Sequence, residues 1–203
     1  PTDDARTIRA KYLGARAAQP GWAKTPLKYR LATIAAFRDK VIERMDDLAL
    51  ILTHEVGKPL AQSTNELKGL IGRIDFFLAE TAGTLKTRKV SGGKDGGMEE
   101  AVSHEPLGVI ANISAWNYPY FVGSNVFVPA LLAGNTVLYK PSEFAALTGL
   151  AIAKMLHECG VPDDVFIPVI GAGDAGAALL RQPLDGVFFT GSYPTGRRIA
   201  QAV

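Results

Sequence analysis

The fold is decided by residues 106–143, PLGVIANISAWNYPYFVGSNVFVPALLAGNTVLYKPSE. This stretch contains no Asp, Glu, Lys, Arg or His before Lys140, so most of it belongs either in a membrane or in a protein core. A membrane-spanning helix needs about 20 predominantly apolar residues in one continuous segment. Pro119, Pro129 and Gly134 interrupt this stretch. It is therefore interpreted as a set of buried core elements.

These elements form a βαβ unit. Residues 107–113 are short, apolar and rich in β-branched side chains, which is typical of a strand covered on both faces. Residues 120–133 predict a crossover helix that ends at Gly134 and Asn135. Residues 136–139 predict a second strand, and strands joined by such a crossover are parallel.

The alternation of strands and helices continues after residue 143. Helices are predicted over residues 144–159, over residues 174–181 and from residue 195 onward, and strands over residues 165–170 and 186–190. Strands that alternate with helices predict an α/β fold with a doubly wound parallel sheet. We expect residues 106–203 to form this domain.

Residues 1–84 predict a helical segment that packs on the sheet domain. A first helix is predicted over residues 3–18, ended by Gln19, Pro20 and Gly21, with Trp22 as a packing anchor. Amphipathic helices follow from Pro26 up to a stop at residues 57–59, and again through residues 67–78. The charged residues of these helices are interpreted as solvated faces.

Residues 85–105 have a different pattern. Alternating residues flank a glycine-rich turn, SGGKDGGMEE, and predict a long two-stranded β-hairpin. Two interpretations remain open. The hairpin is either an exposed loop or an arm whose edge pairs with another subunit.

Composition narrows the possible functions. The 203 residues are 47% hydrophobic, and the net charge of +2 has no clustered basic stripe that would favour nucleic acid or acidic lipid. A single cysteine excludes an internal disulfide and a C-x-x-C metal site, and three scattered histidines indicate no metal cluster. The amino end shows no basic leader or apolar segment, so a cytoplasmic location is expected.

Two polar segments follow the strands of the βαβ unit, and ligands of such sheets bind beyond the carboxyl ends of the strands. In AWNYP, the amide of Asn117 can donate to a developing oxyanion, although a turn-forming asparagine is an equal alternative. In KPSE, Lys140 and Glu143 can hold ribose hydroxyls, or Ser142 and Glu143 can begin a helix. We expect both segments to face one crevice.

Two glycine turns follow the later strands. GAGDAG at residues 171–176 matches G-x-G-x-x-G between a strand and a helix, but no acidic strand end follows about twenty residues later. It is interpreted equally as a tight turn or as a phosphate site. FTGSYPTG at residues 189–196 places Gly191 and Ser192 before a helix, whose free N–H groups accept phosphate. This second turn is the better anion site.

The succession of EVGKP, EPLGVI, AWNYP, PALLAGNTVLYKPSE and FFTGSYPTG resembles the amino-terminal half of the NAD(P)-dependent aldehyde dehydrogenase superfamily over nearly all of the chain. The resemblance implies that an aldehyde is oxidised to its carboxylic acid through a cysteine thiohemiacetal and a thioester. It also implies that the hairpin is the arm of a homodimer or homotetramer. Ala115 departs from the pattern, because many members have proline there.

The resemblance assigns Asn117 as the oxyanion donor. The cofactor-binding residues that it implies are Ile113, Ser114, Ala115, Trp116, Asn117, Lys140, Ser142, Glu143, Gly171, Phe189, Thr190, Gly191, Ser192, Thr195 and Gly196. Glu143 favours NAD over NADP, because its carboxylate would accept from a ribose hydroxyl and repel a 2′-phosphate. Lys140 could soften that preference.

The family's catalytic cysteine and general-base glutamate are expected beyond the FTGS turn, past Val203. Cys159 does not fit that role, because it ends a predicted helix remote from AWNYP. The chain is thus expected to be the cofactor-binding half of the enzyme and inactive by itself. Two alternatives are a truncated nucleotide-binding or assembly module without catalysis, and an acyl-phosphate or acyl-thioester reductase on the same fold.

Overall fold

The computed structural model describes residues 2–91 and 98–203. The helices are α1 (Ala5–Lys24), α2 (Leu27–Glu43), α3 (Met45–Val56), α4 (Leu60–Thr84), α5 (Pro119–Leu132), α6 (Ala146–Glu158), α7 (Gly173–Leu180) and α8 (Tyr193–Ala200). The strands are β1 (Arg88–Ser91), β2 (Glu100–Val102), β3 (Val109–Ile113), β4 (Thr136–Lys140), β5 (Phe166–Pro168) and β6 (Gly186–Phe189). A 3₁₀ turn over Glu143–Ala145 leads into α6. No helix within the described ranges is both long enough and apolar enough to cross a membrane.

The main sheet has the strand order β5-β4-β3-β6, and its neighbouring strands are parallel. Every residue of β3 and β4 is buried. The chain winds from β3 to β4 and β5 on one side, and then returns to place β6 on the other side of β3. The predicted α/β fold with a doubly wound, Rossmann-like sheet is confirmed, and the change of winding direction puts a crevice beside the end of β3.

Helices cover both faces of the sheet, because successive side chains of a strand point to opposite faces. The residues packed in the core with α5 and α6 are Ile110, Val137 and Tyr139, and those packed with α1 and α7 are Val109, Ala111 and Leu138. Helices α2–α4 pack behind α5 and α6, whereas α1 crosses to the opposite face. The amino-terminal helices therefore reinforce both layers.

The predicted end of the first helix at residue 18 is wrong. Helix α1 continues to Lys24 with Pro20 inside it. The indole N–H of the buried Trp22 donates to the carbonyl of Leu131 at 2.9 Å, and the Gln19 amide donates to Gly134 at 3.2 Å. These contacts with α5 and the turn after it hold the last helical turn, although Pro20 removes one backbone hydrogen bond.

The predicted hairpin is present as two antiparallel strands, β1 and β2, whose residues are all exposed. Arg88 pairs with Val102, and Lys89 pairs with Ala101. The tip of the predicted hairpin, residues 92–97, lies outside the described residues. The two strands form a sheet of their own, separate from the main sheet.

A substitution at Gly108, just before β3, tests how tightly the start of that strand is packed. Its φ of 131° suits glycine alone, and an added Cβ would collide with the Asp185 carboxylate, which pairs with Arg16 and accepts from the Val109 N–H at 2.7 Å. We expect Gly108→Ala to lower the free energy of unfolding by about 2 kcal/mol or more. The measurement is urea unfolding followed by circular dichroism.

Gly72→Ala is the matched control. Gly72 is an exposed residue in the middle of α4, and nothing lies within 4 Å of an added Cβ. Alanine should therefore raise the free energy of unfolding by roughly 0.5–1 kcal/mol, the usual helix-propensity difference. Equal effects of the two substitutions would contradict the packing described for Gly108.

Candidate functional site

A cleft of about 980 Å³ opens beyond the carboxyl ends of β3, β4 and β6, a size typical of small-molecule sites. Two backbone hydrogen bonds hold these strand ends together. The Ser114 N–H donates to the backbone carbonyl of Lys140 at 3.0 Å, and the Thr190 N–H donates to the backbone carbonyl of Ile113 at 3.0 Å. The residues that follow the three strands are therefore neighbours.

Thirteen of the fifteen predicted site residues line this cleft. They are Ile113, Ser114, Ala115, Trp116, Asn117, Lys140, Ser142, Glu143, Phe189, Thr190, Gly191, Ser192 and Thr195. The AWNYP and KPSE segments thus open onto one cleft, as expected from the order of the strands. The first residues of the FTGS turn form another part of the same wall.

Gly171 and Gly196 do not line the cleft. Gly171 follows β5, has a φ of 151°, and lies so close to Ala175 that a Cβ would come within 2.6 Å of it. Gly173 and Gly176 of the same turn line the cleft instead. Gly196 faces the Phe189 ring, where a Cβ would come within 3.1 Å. In the GAGDAG motif, the first glycine therefore serves close packing, and the second and third glycines border the cleft.

Nine further residues line the cleft; Gly173 and Gly176 belong to the GAGDAG turn already considered as a phosphate site, and the other seven were not predicted. The nine are Phe144, Gly173, Gly176, Ala177, Leu180, Arg181, Arg198, Ile199 and Ala202. Most of them recur three or four positions apart, on one face of α7 and on one face of α8, which is the spacing of helix neighbours. Projecting the two predicted helices from their glycine turns would have identified the lining residues on these faces, but not Phe144.

Asn117, on the turn after β3, lines the cleft. Asn117 is exposed, and the residue at the N-cap of α5 is Tyr118, so the asparagine is not the cap of that helix. The carboxamide makes no hydrogen bond to any residue that the structure describes, whereas the backbone carbonyl of Asn117 accepts from the Lys58 ammonium at 2.9 Å. The side chain is therefore available to a ligand while its backbone is held.

A buried ion pair lies behind this turn. Lys58 and Glu66 are 2.6 Å apart, with side-chain exposures of 8% and 0%. Glu66 also accepts from the N–H groups of Tyr120 and Phe121, at 2.8 and 3.2 Å, and so caps the first turn of α5. Burial raises the pKa of Glu66, while Lys58 and the two N–H groups act in the opposite direction.

The interpretation of the scaffold charges as solvated is wrong for Glu66. A signal was present in the sequence, because Glu66 precedes Leu70 by four positions and follows Ser63 by three, on the stripe of α4 that is buried. A carboxylate at helical spacing within an apolar stripe needs a partner of its own. Lys58 in EVGKP is that partner.

Lys140 is a buried cation at the end of β4. Its side chain lines the cleft, only 5% of the residue is exposed, and the ammonium donates to the carbonyl of Pro141 at 3.3 Å. Burial lowers the pKa of Lys140, and the nearby Glu143 opposes that shift. An ammonium has three donors, so this lysine keeps capacity for a hydroxyl acceptor in the cleft.

The KPSE segment begins a helical turn, as one of its two interpretations predicted, and it also lines the cleft. Ser142 accepts from the Phe144 N–H at 3.3 Å and begins the 3₁₀ turn, while Glu143 is exposed and lines the cleft. Glu55 of the EVGKP segment caps the following helix, accepting from the N–H groups of Leu147 and Thr148 at 2.5 and 2.8 Å. The EVGKP segment therefore supports the segments that follow both β3 and β4.

The turn after β6 brings the start of α8 to the cleft. A Cβ on Gly191 would lie 2.5 Å from the Phe189 ring, so glycine lets the backbone fold over that ring. Helix α8 has no side-chain cap at its amino end, and Ser192 and Thr195 line the cleft there. Uncapped N–H groups and the helix dipole favour an anion at this end.

A second groove of about 480 Å³ lies beside the same turn, between α4 and α5. Its walls include the apolar and aromatic side chains of Tyr118, Phe121 and Val122 and the residues Gln62 and Asn65. The turn therefore borders two cavities: Asn117 lines the large cleft, and the next residue, Tyr118, lines the smaller groove.

Cys159 lines neither the large cleft nor the smaller groove, and its surroundings do not favour reactivity. It is partly buried at the end of α6, and burial raises the pKa of its thiol, which disfavours the reactive thiolate. Within residues 2–91 and 98–203, no group of three or more His, Cys, Asp or Glu side chains is arranged to hold a metal ion.

Comparison with known proteins places the chain in a family. The model of the aldehyde dehydrogenase family matches residues 1–203. Among curated proteins, N-succinylglutamate 5-semialdehyde dehydrogenases of Sphingopyxis alaskensis and Chromobacterium violaceum are 36% and 38% identical to the chain, over 90% and 95% of its length. The matched regions are 38% and 39% of those proteins, so the chain spans about two fifths of their length.

Solved structures agree with this match. An NAD-dependent aldehyde dehydrogenase of Sinorhizobium meliloti superimposes with a TM-score of 0.93 at 32% identity, covering 100% of this chain and 41% of that one. An NADP-dependent glyceraldehyde-3-phosphate dehydrogenase of Bacillus halodurans gives a TM-score of 0.93 at 31% identity, covering 100% and 44%. On the strength of the family match and of these relatives, the chain belongs to the aldehyde dehydrogenase family.

Proposed function

We propose that this chain supplies the cofactor-binding half of an enzyme that oxidises an aldehyde to its carboxylic acid with NAD(P)+. One observation carries the proposal: Asn117 and the Lys140–Glu143 segment line a single cleft in a member of this family. The family's chemistry needs a polarised carbonyl and a nicotinamide acceptor side by side. A cleft lined by both sets of groups suits that need.

The lining residues fit an adenine dinucleotide. Lys140 and Glu143 would hold the adenosine ribose, since the ammonium donates to hydroxyls and the carboxylate accepts from them. Gly191, Ser192 and the uncapped start of α8 would hold the pyrophosphate. Bound NAD(P)+ supplies the hydride acceptor. Gly171 and Gly196 are outside this proposed site.

Asn117 would stabilise the reacting carbonyl. Its amide N–H can donate to the oxygen that becomes negative when a thiolate attacks the aldehyde, and a preorganised donor of this kind costs no rearrangement during the reaction. The aldehyde would approach along the groove beside Tyr118 and Phe121. The thiolate and the general base are expected in the part of the relatives that this chain does not cover, because Cys159 is not in either cavity wall.

We further propose a homo-oligomer, a dimer or a tetramer, joined through the hairpin of β1 and β2. The support is that all residues of both strands are exposed, including Val90 and Val102, whose apolar side chains a second copy would cover. A helical segment over residues 1–84, an arm over residues 85–105 and a cofactor domain over residues 106–203 form the proposed organisation. The proposed location is cytoplasmic, which the single partly buried cysteine supports.

Titration calorimetry with NAD and NADP tests the cofactor site. We expect NAD to bind more tightly than NADP, because the Glu143 carboxylate would repel a 2′-phosphate. Glu143→Ala should weaken NAD binding by about tenfold or more, the loss of one charged hydrogen bond, and narrow the difference between the cofactors. Lys140→Ala should weaken both, whereas Lys68→Ala, on the exposed side of α4, should change neither. Absence of heat with the unaltered protein would contradict the cofactor site.

Single-turnover kinetics of the complete enzyme test the role of Asn117. We expect Asn117→Ala to slow acylation by about a hundredfold or more, the usual loss for one oxyanion donor. The affinity for NAD should stay within about twofold, because the ribose and pyrophosphate contacts are untouched. An unchanged acylation rate would remove this role from Asn117.

The buried charge of Lys140 should lower the stability of the folded chain, a cost that its proposed binding function would explain. Because burial lowers its pKa in the folded chain, the folded state holds this charge unfavourably at neutral pH. We expect Lys140→Met to raise the free energy of unfolding at pH 7 by about 1 kcal/mol. The unfolded state binds more protons than the folded state between the lowered pKa and 10.5, so the unaltered chain should recover stability as pH rises through that window.

Urea unfolding at pH 7 and near pH 10 measures this difference. Lys154→Met is the control, since its side chain is 71% exposed, and should change the free energy of unfolding by less than about 0.5 kcal/mol at either pH. A destabilising effect of Lys140→Met at neutral pH would show that the ammonium is well satisfied within the protein.

A further inference from the structure

The Lys58–Glu66 pair reaches the reacting region through the backbone. Lys58 comes from the loop between α3 and α4, and Glu66 lies in the second turn of α4, so both belong to the helical scaffold. Neither lines the large cleft. Their charged groups nevertheless form hydrogen bonds with the backbone around Asn117. This is unusual for charges of a helical scaffold, since most charged side chains face solvent.

The two charges hold the end of the Asn117 turn and the start of α5. The Lys58 ammonium donates to the Asn117 carbonyl at 2.9 Å and lies 3.5 Å from the centre of the Tyr118 ring. Glu66 accepts from the Tyr120 and Phe121 N–H groups just after the turn. The peptide group leaving Asn117 and the start of α5 are thus fixed to one ion pair.

The pair has the properties needed for positioning. Both side chains are buried, and an ion pair with little access to water is rigid because any departure leaves a charge without a partner. The Asn117 carboxamide itself has no partner among the described residues, so its direction depends on the backbone of the turn. A displacement of about 1 Å at a catalytic group is sufficient to slow a reaction by about a hundredfold.

We propose that Lys58 and Glu66 are positioning residues that aim the Asn117 carboxamide at the developing oxyanion, an inference that rests on the proposed function. Lys58 fixes the carbonyl of Asn117, and Glu66 fixes Lys58 and the helix that follows. Neither residue lines the cofactor cleft, and although Glu66 borders the groove proposed for the aldehyde, its carboxylate is already bound to Lys58 and to two backbone N–H groups. Their removal should affect acylation and leave cofactor binding unchanged.

A double-mutant cycle in the complete enzyme tests this inference. We expect Lys58→Met to slow single-turnover acylation by about tenfold or more, with unchanged affinity for NAD in calorimetry. In an Asn117→Ala background, Lys58→Met should have little further effect, because the group that it positions is gone. A merely structural role would slow acylation equally in both backgrounds, and that result would overturn the inference.

Two further variants keep the test decisive. Lys11→Met is the matched control, because the Lys11 ammonium also bridges a carboxylate and a carbonyl, those of Asp3 and Pro168 at 2.6 and 2.7 Å, away from Asn117. It should leave acylation unchanged. The double variant Lys58→Met, Glu66→Gln leaves no lone buried charge and keeps an oxygen that accepts from the α5 N–H groups. It replaces Lys58→Met in the test if that single variant does not fold. We expect the double variant to slow acylation by a similar factor.

The outcomes separate this inference from the function on which it rests. If Asn117→Ala slows acylation and the Lys58 variants do not, the positioning role is wrong while the proposed function stands. If Asn117→Ala leaves acylation unchanged in an active enzyme, the oxyanion role fails first and the positioning role fails with it. Slow acylation in the Lys58 variants, with coupling to Asn117, supports both.

Discussion

The burial of two parallel strands on both faces is the constraint on which the rest of this structure depends. Every residue of β3 and β4 is buried, so apolar cover is required above and below them. Helices α5 and α6 supply one layer, and α1 and α7 supply the other. With both faces closed, polar side chains that serve a ligand can emerge only where the strands end.

This constraint explains why the candidate site is composed of turns. The residues that follow β3, β4 and β6 are brought side by side by backbone hydrogen bonds, which do not depend on the side chains present. Side chains there are free to vary in chemistry while their positions stay fixed by the sheet. A carboxamide, a buried ammonium and an uncapped helix end can thus share one cleft.

The EVGKP segment connects the helical scaffold to that cleft. Glu55 caps α6, which follows β4, and Lys58 binds the carbonyl of Asn117, which follows β3. Each charge satisfies backbone groups that the fold would otherwise leave unpaired, which offsets the cost of holding it away from water. The scaffold therefore does more than cover apolar surface, because its charges also bind the backbone where two of the cleft's turns lead into helices.

The sequence by itself determined the βαβ unit, the parallel sheet and the polar turns that meet at the cleft, because apolar runs, glycine stops and turn residues act between near neighbours in the chain. Its resemblance to a family implied most of the individual lining residues. Only the tertiary structure decided that α1 continues past Pro20, that Glu66 is buried, and that Gly171 packs against Ala175 outside the cleft. Each of these depends on partners distant in sequence or on side-chain packing, such as Leu131 for Trp22 and Tyr120 for Glu66. Such contacts exist only after the chain has folded, and their energies outweigh the local preferences that the sequence displays.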